Sequence, residues 1–389
     1  MSQRVAIVGI GQTNHRYRRP DVNHVELLNE AVRLALQDAQ LTMKDVDAVV
    51  MGNMELFEGH YIPDAMSVDG SGAYLKPGLR VNTGGTVGAT TLVAAATHVA
   101  SGVFNTVLAI GWEKQDAAST LSGLLMVRDP LYDRDKAAGA AGLFATLALR
   151  YMRESGCREE HAALVRVKAA QNARRNPHAH LKLNITADDV LNSRLLVWPL
   201  RLLHLSPTSC GACALVLAGE ERAKKISNKP VWIRDHVTAH RECFTHVGGI
   251  VEAVPHTPSH EAAALKLYKR NGITNPRRQM QMMEMYDPSS WAEMQYSEWF
   301  HICEKGEGWK IAEKGITALD GEFPINPSGG VVSTNPIGAS AMLRPAEAAL
   351  QIRGDAGEGQ VTRQVNVALA TGFGGWTWTV MFLLSRTPD

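Results

Sequence analysis

The sequence predicts an α/β protein made of two duplicated halves, with a helical segment inserted into the first. Three observations carry this. The stretch Arg80 to Gly102, RVNTGGTVGATTLVAAATHVASG, reads as a short strand (Arg80 to Thr83), a tight turn with Gly84, Gly85 and Gly88, and a helix rich in Ala, Thr and Val. The second half of the chain repeats the order strand, helix, strand, glycine turn with helix, strand. Between them, from Asp116 to about Leu200, the pattern changes to Ala-rich and cationic helix.

Taken in order, VAIVGIG (Val5 to Gly11) is a buried strand by its Val and Ile content. The next segment puts Leu28, Ala31, Val32 and Ala35 on one helical face, with Asn23 placed to cap it. DAVVMGNME (Asp47 to Glu55) and, after the glycine turn, TVLAIGWEKQ (Thr106 to Gln115) are further strands. The insert contains GLFATLALRYMRESG and EEHAALVRVKAAQNARRNP, and Pro199 to Lys225 returns to a buried strand and a helix.

VWIRDHVT (Val231 to Thr238) then stands where VAIVGIG stood, and EAAALKLYKRNGIT with QMQMMEMYD echoes ELLNEAVRLALQDAQLT with DAVVMGNME. FPINPSGGVVSTNPIGASAMLRPAEAALQIRG repeats the strand, glycine turn and helix, and VNVALATGFGG repeats TVLAIGWE. Such a duplication predicts two similar halves face to face, their glycine turns near a shared pseudo-twofold axis and the site between them. The expected units are 1–115 completed by 200–226, the insert 116–199, and 227–389.

With 389 residues, 45% hydrophobic and 20% charged, the chain can bury one large core or two fused ones. A net charge of +1 and a pI near 7.8 give no electrostatic reason to expect nucleic acid or an anionic membrane as partner. No run approaches the ~18 apolar residues of a membrane span, and MSQRVAIVGIGQT enters a strand directly, so a cytosolic location is expected. Five cysteines, an odd number without scaffold spacing, point to free thiols. Cys210 and Cys213 read as a buried structural pair rather than a metal or redox motif. His240, His246, His256 and His260 are irregularly spaced in an expected loop, which suits a segment covering the ligand better than a metal site, and no metal is expected in this chain.

The glycine turn aims the first N–H groups and the positive end of a helix dipole at whatever lies above it, a place for an anion or a developing oxyanion. A turn that only packs would carry the same pattern.

At VAIVGIGQT, AIGWEKQ, WPLRLLHLSPTSCGACALVLA, INPSGG, NPIGAS and GFGG the sequence resembles the thiolase superfamily, closest to its sterol-carrier-protein and archaeal types, over essentially the whole chain. The resemblance implies a five-layered αβαβα fold, at least a dimer, and a coenzyme A thioester reached past the inserted domain.

The departures from that pattern bear on the chemistry. Thiolases carry a nucleophilic cysteine in Asn-x-x-Cys-x-x-Gly; the same spacing here reads Asn82-Thr-Gly-Gly85-Thr-Val-Gly88, so Gly85 takes the cysteine's place. Glycine forms no acyl-enzyme, and the adjacent Thr86 has no histidine nearby in sequence to act as its base. The second thiolase cysteine is matched by Thr371-Gly-Phe-Gly-Gly375 or by Tyr286-Asp287-Pro288-Ser289, neither of which contains one. The histidine of Gly-His-Pro is replaced by Asn335 in Thr334-Asn335-Pro336, with one residue deleted before it. Asn335 still donates a hydrogen bond but is neither acid nor base.

Three readings follow. Retro-aldol cleavage of a β-hydroxyacyl-CoA needs a base and an oxyanion hole but no covalent nucleophile. Superfamily members without cysteine include steroid side-chain-cleaving aldolases, whose Tyr-Asp pair matches Tyr286 and Asp287; the resemblance implies Tyr286 as proton shuttle. A strand-end tyrosine bonded only to backbone would look the same in sequence. The second reading is CoA-dependent thiolysis or acyl transfer on a bulky β-oxoacyl-CoA, and the third a non-catalytic acyl-CoA-binding subunit.

The candidate catalytic residues are therefore Asn82, Gly85, Tyr286, Asp287 and Asn335, and Ser206 lies where some thiolases set a serine against the pantetheine of CoA. Arg166, Lys168, Arg174, Arg175 and Lys182 are candidates for the CoA phosphates. Trp376 and Trp378 read as packing residues. Related proteins act with a small subunit joining a zinc ribbon to an OB fold, and the resemblance implies such a partner, bringing its own zinc, beside a homodimeric core.

Overall fold

In the first half, strand β1 (Val5–Gln12) leads to helix α1 (His24–Asp38), strand β2 (Ala48–Gly52), and the single-turn helices α2 (Pro63–Met66) and α3 (Val68–Ser71). Strand β3 (Gly78–Val81), helix α4 (Val87–Ala100) and strand β4 (Thr106–Lys114) follow. The computed structural model describes residues 3–127, 130, 134, 139–240, 258–374 and 378–389. Helices α5 (Thr120–Leu125), α6 (Gly139–Ser155), α7 (Glu159–Arg175) and α8 (Ala187–Leu191) and the ribbon β5 (Leu195–Val197) with β6 (Leu200–Arg201) come next. Strand β7 (Cys210–Gly219) and helix α9 (Glu220–Ile226) complete the first half.

The second half runs β8 (Val231–His240), α10 (Ser259–Asn271), α11 (Pro276–Gln279), β9 (Met282–Glu284), α12 (Ser290–Trp299) and α13 (Gly308–Glu313). Helix α14 (Ile337–Arg353) and strands β10 (Val367–Gly374) and β11 (Trp378–Ser385) close it.

The duplication read from sequence is visible in the strand order β3-β2-β4-β7-β1-β8-β11-β10-β9. Outward from the seam, the first half reads β1, β7, β4, β2 and the second β8, β11, β10, β9, with matching antiparallel, antiparallel and parallel pairings. The seam is a short antiparallel join, Ala6 to Trp232 and Ile7 to Val231, that makes one nine-stranded sheet of the two halves.

Alternation along β1 sorts the layers. Val5 and Ile7 enter the inner core, whereas Ala6 and Val8 face α1, whose Leu27, Leu28, Ala31 and Ala35 cover the outer side. Asn23 caps α1 in a reciprocal pair with Glu26, as its sequence position predicts. Helices α4 and α14 fill the layer between the half-sheets and α10 covers β8 and β11 outside, giving the five-layered order. The two central helices touch closely: a methyl on Gly88 would stand 2.7 Å from the Met342 nitrogen and 2.9 Å from the Gly338 carbonyl. Glycine at 88 therefore lets the first turn of α14 meet the start of α4, which sets the site. Among the described residues no helix is long and apolar enough to cross a membrane.

Candidate active site

A cavity of about 320 Å³ opens where the glycine turns of the two halves meet. The first half supplies Met54, Thr83, Gly84 and Gly85, and the second supplies Tyr286, Pro288, Asn335, Ile337, Phe373, Gly374 and Trp378. Leu124, Leu125, Leu143 and Phe144 from α5 and α6 add an apolar wall, and Ser206 completes a polar edge.

Gly85 faces the other half directly. A methyl built on it would stand 2.7 Å from the Phe373 carbonyl oxygen and 3.6 Å from the α-carbon of Gly374. Its neighbour Gly84 takes the left-handed conformation of the turn, at φ 62°. Thr86 is fully buried, and its hydroxyl donates to the Thr83 carbonyl at 2.9 Å, so its proton serves the turn.

Tyr286 follows β9, its N–H donating to Thr371 Oγ1 at 3.0 Å and its ring centre 5.9 Å from that of Phe373. Its hydroxyl lies 3.5 Å from Asn335 Oδ1, long for a hydrogen bond. Burial first of all, then the charges of Asp287 and Glu113, push the phenol pKa up against the opposing pull of Arg344 and Ser340. Tyr286 is thus a neutral hydroxyl. The Asn335 amide is held at both ends: Oδ1 accepts from Ser340 Oγ at 2.8 Å, and Nδ2 donates to Ser206 Oγ at 3.1 Å. Its backbone N–H donates to Ser209 Oγ at 3.1 Å. Among the described residues, the second hydrogen on Nδ2 meets no acceptor.

Two expected residues stand outside this lining. Asp287 follows Tyr286 but is absent from the cavity lining, which takes Tyr286 and Pro288 on either side of it. Its Oδ1 accepts from the Val331 N–H at 2.6 Å, and a methyl on Gly330 would stand 2.5 Å from the same oxygen. Burial raises its pKa to about 8, against the nearby Arg344 cation and the Val331 N–H. Asp287 therefore anchors the chain leading to Asn335. Arg344 and Glu284 form a fully buried ion pair at 2.5 Å, and both bind Ser328 Oγ in the same segment. Asn82 is exposed, and its Oδ1 accepts from the Gly84 N–H at 3.3 Å, shaping the turn from behind.

The expected phosphate ligands divide. Because α7 packs on α12 and α13, Arg166 is fully buried and Lys168 is bound to Glu293, Thr317 and the Ile325 carbonyl. Arg174, Arg175 and Lys182 remain exposed.

The expected cysteine pair is not a pair. Cys210 and Cys213 are three residues apart on β7 and leave opposite faces: Cys213 joins the inner core, while Cys210 Sγ lies 3.5 Å from the Tyr17 carbonyl. Cys157, Cys210, Cys213 and Cys303 are free, and none lines the cavity. Burial pushes the thiols of Cys157, Cys210 and Cys303 up to about 12. Cys243, His246, His256, Gly375 and Trp376 lie outside the described residues. His240 packs on Trp378, which lines the cavity rather than only filling core, and His260 is buried against Tyr296. Among the described residues no group of three or more His, Cys, Asp or Glu is placed to hold a metal ion.

Sequence reasoning missed Thr83, Glu113 and Ser340. Thr83 lies inside the Asn82 to Gly85 turn, which was its signal. Glu113 is a fully buried carboxyl beneath Met54, whose N–H it accepts at 3.1 Å; burial, then Glu58, raise its pKa well above the usual range. A carboxylate ending the apolar run TVLAIGW marked it.

Comparison with known proteins agrees with this architecture. The Thiolase, N-terminal domain family matches residues 5–189, and the Thiolase C-terminal domain-like family matches residues 252–386. An Acetyl-CoA acetyltransferase from Methanothermobacter thermautotrophicus is 30% identical over 92% of this chain and 93% of its own. Sterol carrier protein 2 of Bos taurus is 28% identical over 93% of this chain and 68% of its own. The solved Ltp2-ChsH2(DUF35) aldolase superposes with a TM-score of 0.84 at 26% identity, over 100% of this chain and 99% of the other. With both halves matched and the strand order of a duplicated α/β fold, the chain belongs to the thiolase family.

Proposed function

We propose that the chain cleaves the Cα–Cβ bond of a β-hydroxyacyl-CoA by a retro-aldol reaction without a covalent intermediate. The observation that carries this reading is the cavity itself: Gly85 occupies the turn, Tyr286 and Asn335 stand side by side in its lining, and none of the described cysteines lines it.

In this reading Asn335 Nδ2 donates its free hydrogen to the thioester oxygen. The Cα–Cβ electron pair moves into the thioester to give its enolate as the β-hydroxyl becomes a carbonyl. Tyr286 gives its phenolic proton to Cα and takes the β-hydroxyl proton in exchange, so no lasting phenolate is required and a raised phenol pKa is no obstacle. One well-placed oxyanion donor contributes about 3 kcal/mol, and helix α14 starts two residues after Asn335 with its N-terminal N–H groups at the same wall.

Similarity to the Ltp2-ChsH2(DUF35) aldolase supports the reaction class and a second subunit of DUF35 type, and the sequence resemblance makes that subunit a small one joining a zinc ribbon to an OB fold. A homodimeric core is part of the same reading, supported by exposed Tyr61, Tyr74 and Leu75 ahead of edge strand β3. Residues 116–199 act as an inserted domain over the acyl group, and Ser206 meets the pantetheine. A cytosolic location fits the free thiols of Cys157, Cys210, Cys213 and Cys303. The 30% identical acetyltransferase favours a second reading, CoA-dependent acyl transfer on a β-oxoacyl-CoA.

The two are separated by incubating the purified chain, alone and with its small subunit, with matched β-hydroxyacyl- and β-oxoacyl-CoA esters. Release of aldehyde or ketone without free CoA supports cleavage by aldol chemistry. Turnover only of the β-oxo ester and only with added CoA would replace it with the second reading.

A further inference from the structure

A second, much smaller cavity of about 10 Å³, room for one water molecule, lies between α6 and α12. Phe144, Leu147 and Tyr151 line it from α6, and Ala292, Gln295 and Tyr296 line it from α12. Residues spaced in this way share one face of each helix, so the gap follows the seam between the two. From Phe144 to Tyr151 it runs about 10 Å along the axis of α6. Among the described residues, Phe144 alone lines both this gap and the main cavity. The two linings also meet on consecutive residues of the chain entering α12, Pro288 in the first and Ser289 in the second. Phe144 packs on the main core and on the separate core of the insert, and so stands as a partition between the two spaces.

We infer that Phe144 is a specificity-determining residue: its ring ends the acyl pocket, so the protein takes compact acyl groups and rejects straight chains that would run on between α6 and α12. Ser206 marks the polar edge of the main cavity, and Leu124, Leu125, Leu143 and Phe144 form the apolar wall open to the acyl group. Within the pocket each methylene gains by leaving water. At the wall the next one meets a ring already in place, and overpacking offsets what its burial contributes. The inference rests on the reading that a CoA thioester occupies the cavity, and it holds for aldol and acyl-transfer chemistry alike.

The test measures calorimetric binding of saturated straight-chain esters, from butanoyl- to hexadecanoyl-CoA, to the full chain. In the wild type each added methylene should tighten binding about fourfold until the acyl chain meets Phe144, after which affinity levels off or falls. Phe144→Ala moves that break outward by about two carbons or more. Phe144→Leu moves it the same way by less, and carries the test if thermal melting shows that Phe144→Ala does not fold. Adding Leu147→Phe to Phe144→Ala sets a ring about one turn further along the same face and takes back part of the shift. Leu143→Ala widens the main cavity without joining it to the gap, and leaves the break in place. A steady rise through hexadecanoyl-CoA in the wild type, an unmoved break in the Phe144 variants, or an equal shift in Leu143→Ala overturns the assignment and leaves the thioester reading standing. A wild type that binds none of the esters refutes the thioester reading, and this inference with it.

Discussion

The phenol oxygen of Tyr286 and the side-chain oxygen of Asn335 stand 3.5 Å apart, although 49 residues separate them in the chain. One follows strand β9 and the other precedes helix α14, and Asp287 and the Arg344–Glu284 pair hold the intervening segment in place. The proposed proton exchange depends on that spacing.

Tyr286→Phe removes the hydroxyl and keeps the ring packed, tilted, near Phe373. Turnover should fall by about 10² to 10⁴, the usual contribution of a positioned proton-transfer group, with little change in KM. Steady-state kinetics on a β-hydroxyacyl-CoA measures this, and an unchanged kcat would remove Tyr286 from the mechanism.

Gly85→Cys puts back the residue type expected of a thiolase, yet its β-carbon would meet the Phe373 carbonyl at 2.7 Å. The strand or the turn must shift, at about 1–3 kcal/mol. The variant should melt earlier than wild type and gain no acyl-enzyme. Stable acylation detected by intact-mass measurement would show that the turn still accommodates a thiol nucleophile.

The pH dependence of stability carries a sign set by Asp287. Its carboxyl pKa is about 8 in the fold against an ordinary value of 3.8, so the folded chain keeps a proton that the unfolded chain releases between those values. This contribution is full below pH 3.8 and is lost as pH rises to about 8. Asp287→Asn keeps an oxygen for the Val331 N–H but cannot ionise, so its melting temperature should fall less than that of wild type across this window. Parallel melting curves at every pH would refute the assignment.

Arg344→Met leaves Glu284 without its charge partner in a fully buried site, which should cost about 3–5 kcal/mol in urea unfolding. Adding Glu284→Gln should recover part of that loss. A single variant as stable as wild type would mean that the pair does not anchor the loop.

The duplicated halves were legible because strands repeat in kind: VAIVGIG and VWIRDHVT became β1 and β8, the paired strands at the seam. Gly85, Tyr286, Asn335 and Ser206, singled out by the resemblance to thiolase motifs, line one cavity. Asp287 does not, because its carboxyl is taken up by the Val331 N–H. Arg166 and Lys168 looked exposed by charge, but α7 turns them toward α12 and α13. Ser340 reads as a small helix residue in NPIGAS; only the fold shows its hydroxyl 2.8 Å from Asn335 Oδ1.

The central claim is that bond cleavage proceeds with nothing attached to the protein. It is tested most directly by quenching the chain during steady turnover of a β-hydroxyacyl-CoA and weighing it intact. The account predicts the mass of the unmodified chain while ketone or aldehyde accumulates without free CoA. A population heavier by one acyl group that appears and decays at the rate of turnover would contradict it.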